Sequence, residues 1–234
     1  MMHWFVWKDK NSISDFGLWI SKLPKRTRAQ ERTQEVQIPG RSGSVILTEG
    51  EDVYDSYVME CTVIARNTIN IQKVLEWLRG SGEVYFSNEI DKAFDARIAA
   101  KVEFERVGNS LVQARIPFLV QPLAHRLLRD SDRVTITGAS GSLFNPGDVA
   151  SKPKVSITGS GSNTITIAGN AMTFDLGSSS ITIVVDCDAE IVTSGNDIWT
   201  GSYTGEFWRI PKGSVSVSQT GSATIAIDPE WRWV

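Results

Sequence analysis

The chain has 234 residues, 41% of them hydrophobic and 22% charged, with a formal net charge of −3. That length allows one large domain or two ordinary ones, and the apolar content excludes wholesale disorder. The mildly acidic balance argues against nucleic acid as a main partner, and two cysteines, Cys61 and Cys187, placed one in each half, fit reduced thiols better than a disulfide framework.

Charge divides unevenly along the chain. Residues 1–130 carry 18 basic and 17 acidic side chains, whereas 131–234 carry 6 and 10. The contrast predicts two domains with different surfaces, 1–130 and 131–234. The opening MMHWFVWKDK has a short apolar run and no basic flank, so neither a signal peptide nor a membrane insertion is expected.

From Asp15 the apolar DFGLWI gives way, past Pro24, to a polar, charge-mixed stretch that leads into Ile38-Pro39-Gly40-Arg41-Ser42-Gly43. Proline presets φ and the glycines admit positive φ, so this is a shaped turn with Arg41 at its tip. Tyr57, Met59, Cys61, Val63 and Ala65 then alternate as a strand. Between Asn67 and Arg79 the period changes: Ile71, Val74, Leu75 and Leu78 recur at helical spacing, with Asn70 or Thr68 as cap and Gly80 as terminator. A helix of about three turns is expected there, the one substantial helix of the chain. After a short strand at Glu83–Phe86, alternation from Phe94 to Phe104, the Gly108-Asn109-Ser110 turn and a return over Leu111–Leu119 predict a long β-hairpin at 94–119.

Beyond residue 131 Gly, Ser and Thr dominate. The stretch 138–147 reads as a long connection, and the alternating segments Val155–Thr158, Thr164–Ala168, Met172–Leu176, Ile181–Val185, Ile191–Thr193, Val215–Ser218 and Thr224–Ile227 follow, spaced by glycine turns. That rhythm is the signature of a β-sandwich with one wet side to each sheet. The fold class read from this pattern is mainly β: a β-sheet domain with one helix and a long hairpin, then a β-sandwich.

Chemistry is sparse. The two histidines, His3 and His125, are far apart, and no CxxC, HExxH or phosphate-loop context occurs, so no metal and no cofactor is expected. Asp186, Asp188 and Glu190 would share one face of a strand and are the best carboxylates for glycoside hydrolysis or Ca²⁺; the alternative is a solvated strand end. Of eight tryptophans, Trp77 falls beside the apolar face of the helix, while Trp199 and Trp208 flank a loop containing Tyr203. Trp199, Tyr203 and Trp208 could stack on a glycan, as in a lectin-like adhesin, or serve a protein contact or a core.

Four segments in order resemble one protein family. They are DFGLWI with the later IPGRSG; VLEWLRGSGEVYFSNE; the pair around Phe94-Asp95-Ala96-Arg97 and Val112–Pro122; and FNPGDVASKPKVSITGSG followed by ITIVVDCDAEIV. Together they are similar to the distal tail proteins of long-tailed phages, the hub subunits between tail tube and tail tip. The resemblance implies a non-enzymatic virion protein of the tail tip, made in the host cytoplasm. Residues 1–130 would build a homo-hexameric ring around a channel, and 131–234 would form a galectin-like β-sandwich at its periphery. The implied partners are further copies of the chain, the tail tube protein, the tail tip protein, and receptor-binding or baseplate proteins. Arg97 and Lys101 are expected subunit-interface residues, on the argument that a long open-edged hairpin needs a neighbouring chain, and Arg41, at the tip of its turn, is expected at the interface with them.

Overall fold

The computed structural model describes residues 2–25, 27–48, 50, 52–127 and 132–234. The chain divides into two compact units, Met1–Leu127 with Val234, and Leu128–Trp233. The fold class is the mainly β one that the alternation predicts.

In the first unit the strands are β1 (Phe5–Trp7), β2 (Lys10–Asn11), β3 (Trp19–Lys22), β4 (Thr33–Gln37), β5 (Ser44–Thr48), β6 (Tyr57–Arg66), β7 (Ser81–Phe86), β8 (Lys92–Ile98), β9 (Phe104–Val107), β10 (Leu111–Val120) and β11 (Ala124–Arg126). A single helix among the described residues, α1 (Ile71–Trp77), joins β6 to β7. The main sheet runs β2-β1-β7-β8-β10-β6-β3. Its centre is the antiparallel β6–β10 pair, in register from Tyr57↔Val120 to Arg66↔Leu111. Met59, Cys61, Val63 and Ala65 turn inward as their period requires, opposite Val112, Ala114, Ile116 and Phe118.

Two expectations are corrected here. The helix covers seven residues, about two turns, because Asn70 caps it (its side chain accepts from the Lys73 N–H at 3.1 Å) and Gly80 at φ +79° turns the chain into β7. The 94–119 hairpin is interrupted. Residues 99–103 leave the ladder, so β8 pairs with β10 only at Ala96–Ile98 and β9 resumes at Phe104. β10 is paired along both edges, by β6 on one side and by β8 and β9 on the other, and β8 is paired with β7. The hairpin is therefore covered along β8 and β10 and keeps an open edge only along β9, which among the described residues pairs with β10 alone.

The aromatic N-terminus, which has no assignment from sequence, is a sheet strand. Phe5 and Trp7 are fully buried, and β1 pairs with β7 in the register Phe5↔Phe86. Trp7 and Trp77 exchange bonds: the Trp7 indole N–H donates to the Trp77 carbonyl at 3.2 Å, and the Trp77 indole donates to the Trp7 carbonyl at 2.9 Å. Trp77 is stacked between Phe16 at 4.1 Å and Phe5 at 5.5 Å.

The second unit is a β-sandwich. One sheet orders β12 (Val134–Ile136), β22 (Thr224–Asp228), β14 (Lys154–Gly159), β17 (Ile181–Asp186), β18 (Ile191–Ser194) and β19 (Asp197–Ile198); the other orders β13 (Ser140–Asn145), β21 (Gly213–Thr220), β15 (Ser162–Ile167), β16 (Asn170–Asp175) and β20 (Tyr203–Gly205). Ile and Val from both sheets close the core, with Phe174 and Trp208 among them. The expected connection at 138–147 contains strand β13, paired with β21 from Ser140↔Ser218 to Asn145↔Gly213. Asn145 is buried and bonds three backbone groups, donating to the Val149 and Ile210 carbonyls and accepting from the Gly147 N–H.

Trp77→Phe keeps the ring stack but leaves the buried Trp7 carbonyl without its donor. We expect a loss of about 2 kcal/mol, read as a lowered urea midpoint at unchanged slope.

Candidate functional site

The carboxylates at 186–190 form a structural turn. Asp186 ends β17, and its Oδ1 accepts from the N–H groups of Asp188 at 3.0 Å and Ala189 at 3.1 Å. Lys154 lies 3.1 Å from Asp186, and Lys152 lies 3.0 Å from Asp188. Burial works to raise the Asp186 pKa, but the Ala189 N–H, the Lys154 ammonium and the Asp188 N–H outweigh it and hold the carboxyl below its ordinary range. A carboxylate so held, with both partners cationic or backbone, is neither a general acid nor a vacant cation ligand. Among the described residues no group of three or more His, Cys, Asp or Glu is placed to hold a metal ion. His125 Nε2 donates to the Glu83 carboxylate at 2.8 Å, and His3 faces the Ser87 hydroxyl at 3.2 Å, so each histidine is engaged by its own sheet neighbours. Cys61 and Cys187 are buried; burial pushes the Cys61 thiol far up and the Cys187 thiol up to about 12, so neither is a nucleophile at neutral pH.

The aromatic group is partly core. Trp208 is fully buried and its indole N–H donates to the Asn170 carbonyl at 3.0 Å. It offers no face to a glycan, which corrects its place in the expected surface set. Tyr203, 39% exposed on edge strand β20, lies 6.2 Å from Phe174 and 6.3 Å from the half-buried Trp199, both at 24°. These rings continue the core outward to the sheet edge. Ile198 beside them is 72% exposed.

The expected interface residues fall in two places. Arg97 is exposed on β8, opposite Ser81 and Leu119. Lys101 lies in the 99–103 interruption, paired with Glu103 at 2.6 Å, a solvated pair of little energetic weight. Arg97, Ile98, Ala100 and Val102 face Leu75, Leu78 and Arg79 across a groove of about 470 Å³. Arg41 is elsewhere, at the tip of a separate two-stranded ribbon.

That ribbon is the feature sequence reasoning missed. β4 and β5 pair only with each other, from Thr33↔Thr48 to Gln37↔Ser44. Their joining turn has Gly40 at φ +82°, Gly43 at φ +84° and an Arg41 N–H to Ile38 carbonyl bond of 3.1 Å. The register sorts the side chains. Gln34, Val36, Val45 and Leu47 share one face, and Thr33, Glu35, Ile46 and Thr48 share the other. Nine of the ten strand residues are exposed, including Val36 at 42%, Leu47 at 51% and Ile46 at 61%. A signal did exist in the sequence: Val36-x-Ile38 and Val45–Leu47 flank the Pro-Gly turn. No helix among the described residues is long and apolar enough to cross a membrane.

No protein-family model and no curated protein matches the sequence. The fold does have a solved relative in shape. The crystal structure of the SPP1 Dit protein (gp 19.1), described as a paradigm of the hub adsorption apparatus in phages infecting Gram-positive bacteria, superposes with a TM-score of 0.76. The likeness covers 100% of both chains at 16% sequence identity, so this chain has a Dit-like fold throughout.

Asp186→Ala uncaps two N–H groups and strands Lys154, which costs about 1–2 kcal/mol at pH 7. Because the folded pKa is depressed, that stability is fully present above the ordinary aspartate value of 3.8 and is lost as pH falls through the lower folded value. The gap between parent and variant in urea titrations should therefore close on the acid side.

Proposed function

We propose that the chain is a distal tail hub subunit of a phage, a structural protein that assembles with copies of itself into a ring joining the tail tube to the tail tip. The observation that carries this reading is the full-length likeness to the Dit fold, spanning both units with nothing left over on either chain. The uncovered β4–β5 ribbon supports it independently, since a two-stranded ribbon with apolar residues in water is marginal unless another surface covers it.

In this reading residues 1–130 form the ring, in six copies, and 131–234 form a galectin-like sandwich that presents receptor-binding or baseplate proteins. Arg41, on the ribbon tip, and Arg97 with Lys101, at the groove, are subunit-contact residues. The protein acts in the virion, at the tail tip, without catalysis. The lectin-like alternative rests on Trp199 and Tyr203 alone, because Trp208 belongs to the core.

Light scattering over a concentration series, with negative-stain images of the same sample, tests the ring. We expect a mass of about six subunits, in line with closed point-group assembly, and a central hole. Reversing charge with Arg97→Glu and Lys101→Glu together should lower that mass. A monomer at every concentration would count against the ring.

A further inference from the structure

We propose that the aromatic edge of the second unit is a saccharide site: the Tyr203 ring stacks on a sugar, Trp199 holds the loop that carries it, and the carboxylates of Asp197 and Glu206 restrict the ligand to neutral or amino-bearing sugars. The site adds a second function to the hub reading and stands whether or not the ring forms.

Most aromatic side chains of this protein are committed to its two cores. Trp7, Trp77 and Trp208 each give the indole N–H to a backbone carbonyl. Trp199 and Tyr203 differ. Residues 200–206 are all exposed, and Tyr203 lies among them on edge strand β20, which pairs with β16 alone. Neither the Trp199 indole N–H nor the Tyr203 hydroxyl is bonded within the described residues. An open ring with a free polar handle can cover the apolar face of a sugar and still meet its hydroxyls.

The ring is held in place before any ligand arrives. Buried Phe174 lies 6.2 Å from Tyr203 at 24°, and Phe207 meets it at 6.3 Å and 64°. Gly201 lies directly on Trp199, where a Cβ would collide with the indole, so any other residue pushes the 200–206 loop away from that ring. Rings fixed by a packed core lose little freedom on binding.

Charge sets the ligand class. From Val155 to Trp208 the chain has no Lys, Arg or His, against six carboxylates. Asp186 and Asp188 are paired with Lys154 and Lys152. Asp197, next to Ile198, and Glu206, next to Phe207, are exposed and form no ion pair among the described residues. The next cation along the chain, Arg209, follows the buried Trp208. Carboxylates accept hydrogen bonds from sugar hydroxyls or from an ammonium, and they repel an acidic sugar. Area argues against a folded protein as the occupant. A stable interface needs about 800 Å² on each side, and the exposed apolar surface here is that of Tyr203 and Ile198.

An array of neutral, amino-bearing and acidic oligosaccharides, probed with the labelled full chain, tests the site. We expect retention on neutral or amino-bearing sugars and none on acidic ones. Tyr203→Ala should weaken retention about tenfold, the upper range of an aromatic stack, in a variant whose urea transition stays cooperative. Tyr203→Phe, which keeps the ring, should lose less. Phe144→Ala removes a 65% exposed ring from β13, the opposite edge of the same sheet, and should leave retention as it was. Asp197→Asn combined with Glu206→Gln should admit acidic sugars that the parent rejects, a change that a purely structural role does not produce. A blank array overturns the inference, as does retention that survives Tyr203→Ala or a parent that prefers acidic sugars; a ring by light scattering then leaves the hub reading standing. Capture of a Lys-rich peptide by the parent and not by Tyr203→Ala, with the array blank, overturns it in favour of a basic protein segment.

Discussion

The first unit depends on one reciprocal interaction, the exchange of indole-to-carbonyl bonds between Trp7 and Trp77. A seven-residue helix does not hold itself together in water, because nucleation outweighs the few bonds that two turns return. A three-residue strand at the start of a chain is no better placed. The two tryptophans tie these weak elements to each other, each satisfying a buried carbonyl with a buried N–H. Around them Phe5, Phe16, Phe86 and Phe118 pack at ring separations between 4.1 and 6.2 Å, which brings β1, α1, β7 and β10 to one aromatic centre. The groove inherits its wall from this arrangement, since Leu75 and Leu78 are presented by the helix that Trp77 anchors.

The second unit is held by different means. Its sheets carry small outer residues and branched inner ones, and its irregular corners are satisfied by buried amides. Asn145 bonds three backbone groups near the Pro146 turn, and Asn163 accepts from the Ala223 N–H while donating to the carbonyls of Ser160 and Gly161. Trp208 closes one end of the core and spends its N–H on Asn170. The acidic turn at 186–190 falls into the same pattern of backbone satisfaction. Side chains that look chemically active in the sequence are thus employed in closing the fold.

Legibility followed burial geometry. Where a strand has one wet face, alternation places it: every sandwich segment read between Val155 and Ile227 is a strand. Where that condition fails, the pattern is silent. β1 is buried on both faces, so Phe5, Val6 and Trp7 show no alternation. β4 and β5 are exposed on both faces and carry no core period. β13 is written in Gly, Ser and Asn, residues that read as a turn, and is a strand because Leu143 and Asn145 point inward. Trp199 and Trp208 flank the same loop, and only the packing decides which ring is core. Of the expected site residues, the sequence located Arg41 on its turn but could not see that the turn crowns a free ribbon.

What the two cores leave unused is the best guide to what the protein does. The carboxylates Asp186 and Asp188 are held in a turn and in ion pairs, whereas nine of the ten residues of the β4–β5 ribbon stay exposed. A ribbon that exposes Val36, Ile38, Ile46 and Leu47 is an aggregation hazard unless a specific partner meets it. The symmetry of that partner matters. Two ribbons meeting face to face would satisfy each other and stop at a dimer. A ribbon that met a different surface on the next copy would leave one of each open at the ends, and the finite structure that removes both is a closed ring.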